Sequence, residues 1–167
     1  TKNDDLATNG VWEQQQTQLG EETLSYVGKI FNTYLIFESG NYVYFVDQHA
    51  AHERILYDKL KKDFTEKRIY TQNMLIPYTF TVTADEFNVI SEFIPTLKDF
   101  GFEIDAFGNN TFSLKSVPSI CGEMNVSDFL STLLSDLTNK KVVDNLNLFN
   151  DKLMQNACKS AIKGDMD

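Results

Sequence analysis

An abrupt change of pattern at Asp47 constrains the possible folds more than any other feature of the sequence. Residues 42–46, which precede it, are all β-branched or aromatic, and such a run favours a β-strand. After Gln48 the apolar residues recur at helical spacing, namely at Ala50, Ala51, Ile55, Leu56 and Leu60. A strand therefore passes directly into a helix, so the chain must contain both kinds of element.

The sequence before this junction divides into a polar segment and a β-rich segment. Residues 1–20 are rich in Gln and Asn and lack sustained periodicity, which predicts an unstructured linker from an upstream region and a chain that is a fragment of a longer protein. Residues 26–47 are rich in β-branched and aromatic residues, and the turn-forming Ser39, Gly40 and Asn41 separate two runs. The second segment predicts a β-hairpin or a β-meander.

Residues 71–122 carry the pattern of a β-α-β-β unit. Pro77 favours an edge or irregular strand, because proline cannot donate a hydrogen bond to a central ladder. Thr83 and Glu86 have the spacing of a capping box that opens a helix, and Gly101 is expected to end it. Two further short strands around a glycine turn complete the unit.

Two amphipathic stretches, residues 126–137 and 148–163, predict closing helices. They are needed to cover the sheet formed before residue 71. The sequence therefore predicts an α+β fold in which residues 21–70 and 123–167 form one subdomain of strands and helices, and residues 71–122 form an inserted β-α-β-β subdomain.

Composition restricts the environment and the partners. With 42% hydrophobic residues the chain can build a core without disulfides, and its two cysteines form no disulfide framework. The sequence has no signal peptide and no apolar run of 18 residues, which predicts a cytoplasmic protein without a membrane partner. Because 15 basic and 24 acidic residues give a net charge of −9, contact with DNA must be local or assisted.

Both histidines of the chain lie in one short segment that also holds two carboxylates. On a helix, His49 and Glu53 share a face and can bridge a divalent metal, and Asp47 can join them from the end of the strand. Alternatively, Asp47 caps the helix while His49 and Glu53 form an ordinary solvated pair. His52 and Asp58 point partly away from this face and are expected at the surface.

Three other features have both a structural and a functional interpretation. Cys121 and Cys158 are each typical of buried core cysteines. Residues 72–77 combine a glutamine, aliphatic side chains and a proline, as in a peptide that docks into a hydrophobic groove of another protein, but they also fit an ordinary edge strand. No glycine-rich phosphate loop is present in the sequence, so ATP binding is not expected.

Two stretches together resemble the C-terminal domain of bacterial MutL mismatch-repair proteins. They are DQHAAHERI at residues 47–55 and ACKSAIK at residues 157–163, and the similarity extends from about residue 26 to residue 164. The resemblance implies that residues 21–70 and 123–167 form a dimerisation and endonuclease subdomain and that residues 71–122 are regulatory.

The resemblance also implies a metal-dependent endonuclease that nicks duplex DNA. By position, Asp47 and Glu53 are the catalytic residues, and the metal ligands are Asp47, His49, Glu53 and Cys158. The implied cofactors are Zn²⁺ in a structural or regulatory role and Mn²⁺ or Mg²⁺ in catalysis. Asp58 stands where the family pattern has its final Glu, which keeps a carboxylate but shortens it by one methylene.

Endonuclease members of the family carry a further Cys-x-His motif after the last helix, beyond the position where this sequence ends. Either that motif lies outside the sequence, or the protein lacks it and the nuclease site is incomplete. In the second case the domain is a non-catalytic module that dimerises and binds the sliding clamp of the replication machinery. A hydrolase of small phosphoesters is a third possibility, and it requires a deep pocket.

The resemblance further implies the partners. Gln72, Met74, Leu75 and Pro77 match the Gln-x-x-Leu/Ile-x-Pro motif with which family members bind the sliding clamp of the replication machinery. The other implied partners are a second copy of the chain, duplex DNA, and the mismatch-recognition protein MutS through the full-length protein. The implied location is the cytoplasm, in association with the nucleoid.

Overall fold

The computed structural model of the chain describes residues 17–19 and 22–164. Helices and two small antiparallel sheets are present, which confirms the predicted α+β class. The chain divides into two compact units, and the boundary falls between Ala50 and Ala51, within helix α1 (Gln48–Thr65). The predicted grouping of residues 21–70 with residues 123–167 stays a prediction. Among the described residues, no helix is long and apolar enough to cross a membrane.

The first unit contains an antiparallel sheet of four strands in sequential order. The strands are β1 (Thr17–Leu19), β2 (Glu22–Ile30), β3 (Tyr34–Ser39) and β4 (Tyr42–Asp47). Of the two predicted arrangements, the meander is therefore the correct one. β1 lies within the predicted linker, whose first 16 residues are outside the described part of the chain.

The turn between β2 and β3 carries no glycine or proline, and for this reason the sequence pattern did not reveal it. Phe31 and Asn32 both adopt positive φ angles, of 50° and 53°. Asn tolerates this conformation, whereas Phe adopts it rarely. Thr33 closes the turn, because its backbone N–H donates to the Ile30 carbonyl at 3.1 Å.

The second unit begins with the rest of α1 and continues with the predicted β-α-β-β arrangement. A three-stranded antiparallel sheet has the order β5, β7, β6, with β5 at Thr71–Thr81, β6 at Glu103–Ala106 and β7 at Thr111–Pro118. Helix α2 (Ala84–Asp99) connects β5 to β6. β5 is an edge strand, and its register with β7 shifts between Asn73 and Tyr78, around the proline that predicted this irregularity.

Both predicted ends of α2 are confirmed. The Thr83 hydroxyl accepts a hydrogen bond from the Glu86 backbone N–H, and the Glu86 carboxylate accepts one from the Thr83 N–H at 2.8 Å. The Thr83 hydroxyl also donates to this carboxylate at 2.9 Å, and the two bonds donated by Thr83 lower the pKa of Glu86. After the helix, Gly101 has a φ of 87°, and a Cβ there would lie 2.9 Å from the Ile69 Cγ2, so the turn requires glycine.

Three helices close the second unit: α3 (Val126–Thr138), α4 (Lys140–Val143) and α5 (Leu146–Gly164). α3 and α5 confirm the two predicted amphipathic helices. The short α4, and the 3₁₀ turn at Ser119–Cys121, were not predicted because three or four residues are too few to show helical periodicity.

Phenylalanine side chains hold the elements of the second unit together. Phe102, just before β6, stacks on Phe129 of α3 with ring centroids 4.5 Å apart. Phe93 of α2 packs on Phe149 of α5, also with centroids 4.5 Å apart. The β-α-β-β unit and the closing helices therefore share one hydrophobic core.

Candidate functional site

Asp47 is the residue at which β4 passes into α1. Its Oδ1 accepts hydrogen bonds from the backbone N–H groups of His49 at 2.9 Å and Ala50 at 3.2 Å, so it caps the helix. The Gln48 N–H donates to the Thr33 carbonyl at 2.9 Å, which fixes the start of α1 to the sheet. Among the described residues, no group donates to the second oxygen of Asp47. Capping therefore leaves one carboxylate oxygen available to a ligand.

The His49 side chain lies beside this carboxylate without binding to it. Its Nδ1 is 3.8 Å from the Asp47 Oδ1, beyond hydrogen-bond distance, and both side chains are almost half exposed. An imidazole and a carboxylate therefore stand next to each other at the surface of the first unit. They are donors of the kinds that zinc prefers.

Glu53 lies near the turn of α5 that carries Cys158, although the two residues are more than 100 positions apart in the sequence. It lines the same groove as Asn156, Lys159 and Ser160, which flank Cys158. Cys158 is fully buried in α5. Burial raises the pKa of its thiol to about 12, with smaller contributions from Cys121 and from the charge of Glu53. Cys121 is also buried, and burial raises the pKa of its thiol to about 12. A carboxylate and two protonated thiols therefore occupy one region of this unit.

The turn of α5 that carries Cys158 is fixed by hydrogen bonds on both sides. The Asn156 Nδ2 donates to the Phe129 carbonyl of α3 at 2.8 Å, and the Ser160 hydroxyl donates to the Asn156 Oδ1 at 3.3 Å. The Asn125 N–H donates to the Ser160 carbonyl at 2.9 Å. Because these groups are buried, breaking any of these bonds costs about 1–3 kcal/mol, and Cys158 is held in place.

A polar groove of about 410 Å³ lies beside Glu53, between α3 and α5. Carboxylate, hydroxyl, amide and amine groups line it. The lining residues are Glu53, Asp128, Ser131, Thr132, Asp136, Lys152, Gln155, Asn156, Lys159 and Ser160. The Lys152 Nζ donates to the Asp136 carboxylate across the groove at 2.8 Å. Glu53 is therefore half-buried at a polar surface that water and ions can reach.

The donor types fit zinc, whose usual protein ligands are thiolate, imidazole and carboxylate. Within the described part of the chain, however, no three His, Cys, Asp or Glu side chains lie close enough together to hold a metal ion. A thiol with a pKa of about 12 is protonated at neutral pH, so metal binding at Cys158 must displace a proton. The positive charge of a bound metal deprotonates a coordinating thiol.

Two residues near the motif lie at the surface, in agreement with the sequence-based expectation. His52 is exposed. Asp58 is more than half exposed and accepts a hydrogen bond from the Arg54 Nε at 2.9 Å, one helical turn away. Asp58 thus forms a surface ion pair in the place where the family pattern has its final Glu.

The segment expected to bind a hydrophobic groove projects from the edge strand β5. Leu75 is 99% exposed and Ile76 is 78% exposed, where the register with β7 shifts. Gln72 and Pro77 are also exposed, whereas Met74 is half-buried and packs on the core. The segment therefore presents two aliphatic side chains to solvent. The sequence motif does not single out Ile76, whose side chain is exposed beside that of Leu75.

Comparison with known proteins identifies relatives over most of the chain. Residues 27–166 match the family model described as the MutL C terminal dimerisation domain. The DNA mismatch repair protein MutL of Clostridium botulinum (strain Kyoto / Type A2) is 34% identical over 83% of this chain and 21% of the relative. The MutL proteins of Exiguobacterium sibiricum and Agathobacter rectalis are 31% and 28% identical, over 85% and 89% of this chain and 23% of each relative. The chain thus spans less than a quarter of the length of these curated relatives.

The raised thiol pKa values predict low reactivity of the folded, metal-free protein. At pH 8 a thiol of pKa about 12 holds about 10³-fold less thiolate than one with the ordinary value of 9.0, and burial also blocks access. We expect Cys121 and Cys158 to react with an aromatic disulfide reagent at least about 100-fold more slowly in EDTA than after unfolding in guanidinium. The absorbance of the released thiolate measures both rates, and rapid reaction of either thiol in the folded protein would contradict this expectation.

Proposed function

The chain belongs to the MutL family, of which it carries the C-terminal dimerisation domain, and we propose that it forms a homodimer that nicks one strand of duplex DNA with the help of divalent metal. The observation that carries this proposal is that Glu53 lines the same groove as Asn156, Lys159 and Ser160, which flank the buried Cys158 on α5. Glu53 and Cys158 are separated by more than 100 residues in the sequence, and the family resemblance assigned both to one metal site.

In the proposed site, Asp47, His49, Glu53 and Cys158 hold metal, and Asp47 and Glu53 are also the catalytic residues. Zinc fits the mixed donors in a structural or regulatory role, and manganese or magnesium, when bound, would polarise the scissile phosphate and acidify the attacking water. The oxygen of Asp47 that does not cap α1 is available as a ligand or as the base that accepts the proton of this water. The helix cap keeps that carboxylate fixed in orientation.

The alternative function is a non-catalytic module that dimerises and recruits the clamp. The surface ion pair of Asp58 favours this alternative to some extent, because it occupies the family's final carboxylate position. A hydrolase of small phosphoesters finds less support, since the polar groove beside Glu53 has too few apolar walls to enclose a small substrate.

Replacement of Asp47 by Asn tests the nicking activity. Asn caps helices as well as Asp does but carries no charge, so the fold should be retained. In the full-length protein with Mn²⁺ we expect nicking of supercoiled plasmid to fall about 100-fold or more, equivalent to about 2.7 kcal/mol of barrier.

The matched control is Asp99→Asn, which removes an exposed carboxylate at the end of α2 and should nick like the unaltered protein. Undiminished nicking by Asp47→Asn would refute the proposed site. If the unaltered protein does not nick at all, the non-catalytic module is the correct function.

We propose that the homodimer forms through the sheet of the first unit. β4 alone exposes four large apolar residues, which are Tyr42, Val43, Tyr44 and Phe45. Successive side chains of a strand point to opposite faces, so Tyr42 and Tyr44 lie on one face of the sheet and Val43 and Phe45 on the other. Both faces therefore leave large apolar side chains in water, and exposed apolar patches mark interfaces. The family model describes a dimerisation domain, which supports a second copy of the chain as the partner.

Phe45→Asp tests this interface. Phe45 is 63% exposed, so the unit should fold with Asp there, but burying its charge between two subunits costs several kcal/mol. We expect the dimer dissociation constant to rise at least about tenfold in sedimentation equilibrium. Phe107→Asp, at a residue that is 71% exposed in the second unit, is the control and should leave the dimer intact. An equally strong dimer in both variants would exclude this sheet.

We also propose that residues 72–77 bind the sliding clamp. The exposed Leu75 and Ile76 supply the aliphatic anchors, and the edge position of β5 leaves the segment accessible. Attachment to a clamp would hold an acidic domain on DNA by raising its local concentration. In this proposal the full-length protein also meets MutS, and it works in the cytoplasm at the nucleoid.

The double substitution Gln72→Ala and Leu75→Ala tests clamp binding. Both side chains are exposed, so stability should change little. We expect at least about a tenfold loss of affinity for the purified clamp in calorimetry. Leu146→Ala, which shortens another exposed leucine, should bind as before. Equal affinity of the double variant and the control would eliminate this segment as the clamp-binding site.

A further inference from the structure

Residues 54–68, which comprise most of α1 and the turn after it, are basic in an otherwise acidic chain. They contain six basic and three acidic residues, a net charge of +3, whereas the other residues have a net charge of −12. We call the six basic side chains the α1 basic surface. They are Arg54, Lys59, Lys61, Lys62, Lys67 and Arg68. The potential of the chain is thus reversed locally, along one helix.

The basic residues of α1 lie on the side of the helix that faces solvent. Leu60 is buried, and Leu56 and Phe64 pack against the same core. On an ideal helix, the four basic residues of α1 fall within an arc of about 160° on the opposite side. All six side chains of the α1 basic surface belong to exposed residues. The surface is therefore accessible along its whole length.

Few of these charges are strongly paired. Among the described residues, no carboxylate lies within ion-pair distance of Lys59, Lys62 or Lys67. The other three form ion pairs: the Arg54 Nε is 2.9 Å from Asp58, the Arg68 Nη1 is 3.3 Å from Glu66, and the Lys61 Nζ is 3.8 Å from Asp151. Exposed pairs of this kind contribute about 0–1 kcal/mol and exchange readily for another anion.

Tyr57 aligns two of the cations. The Arg54 guanidinium lies 5.7 Å and the Lys61 ammonium 5.5 Å from the centre of its ring. The Tyr57 hydroxyl donates to Asp151 at 2.9 Å, which holds the ring in place. Seven residues separate the two cations, or about 10 Å along the helix, and this is the rise of about three phosphates on one DNA strand.

We propose that the α1 basic surface binds the phosphate backbone of duplex DNA and so holds the duplex against α1, the helix that also carries Glu53. The choice of DNA as the partner rests on the proposed nicking function. The choice of α1 as the DNA-binding surface rests on charge. The acidic remainder of the chain repels a duplex, so the duplex approaches most favourably on the side of α1. Backbone contacts of this kind position the protein without reading the sequence.

The test compares two triple variants with the same change of charge. Lys59→Gln, Lys61→Gln and Lys62→Gln together alter the α1 basic surface, and Lys98→Gln, Lys140→Gln and Lys141→Gln together alter three exposed lysines elsewhere. Glutamine keeps helix propensity close to that of lysine. Binding of a fluorescent duplex is measured by anisotropy in EDTA over a range of salt concentrations, so that no nicking or metal is involved.

We expect the first variant to bind at least about tenfold more weakly at low salt. The slope of log K against log salt should become shallower by about 2.7, since each phosphate contact contributes about 0.9. The control should lose far less affinity and keep the slope of the unaltered protein. Equal losses of affinity in both variants would show a general effect of charge. Unchanged affinity in both would mean that DNA binds elsewhere or that the surface binds an acidic protein. Either result would overturn the proposal. Because this assay needs no catalysis, its outcome is independent of whether the protein nicks DNA.

Discussion

Burial of aromatic rings in the second unit is the constraint on which the other features of that unit depend. Stacking of Phe64 on Phe100 joins α1 to the end of α2, with ring centroids 3.9 Å apart. Phe93 and Phe102 join the inserted unit to α5 and α3 through their contacts with Phe149 and Phe129. This packing fixes which side of α1 is buried, and hence which side presents charge. Cys158 belongs to the same core, and Glu53 lines the groove beside the turn of α5 that carries it.

Charge is distributed in a way that suits a domain with one DNA-facing side. A net charge of −9 would repel a duplex if it were spread evenly, but the basic residues of α1 lie together on its exposed side. The same helix begins at the proposed catalytic motif. In the proposed arrangement the acidic remainder of the chain would limit unproductive contact with DNA, and the cations of α1 would orient the duplex. Binding to the clamp would then keep the domain on DNA for longer than its weak electrostatic attraction to the duplex can.

Sequence patterns that act over a few residues predicted most of the fold. They failed where a residue departs from its usual conformation and where the contact joins residues distant in sequence. Pro77, the Thr83–Glu86 capping box and Gly101 each act within a few residues of themselves, and the structure confirms all three. The turn after β2 was missed because a phenylalanine adopts the conformation usually left to glycine. In the site, helical spacing pointed to His49 and Glu53, but only the family resemblance related Cys158 to them, since proximity in the fold cannot be deduced from spacing. Averaging charge over the chain concealed the basic side of α1.

Enclosure of the two thiols has a consequence for the chemical lifetime of the protein. Oxidation of cysteine to sulfenic acid begins with the thiolate, and a pKa of about 12 leaves about one thiolate in 10⁵ at neutral pH. The proposed metal ligand Cys158 is therefore protected from peroxides whenever it carries no metal. The domain can in this way keep the proposed ligand chemically intact under oxidative conditions.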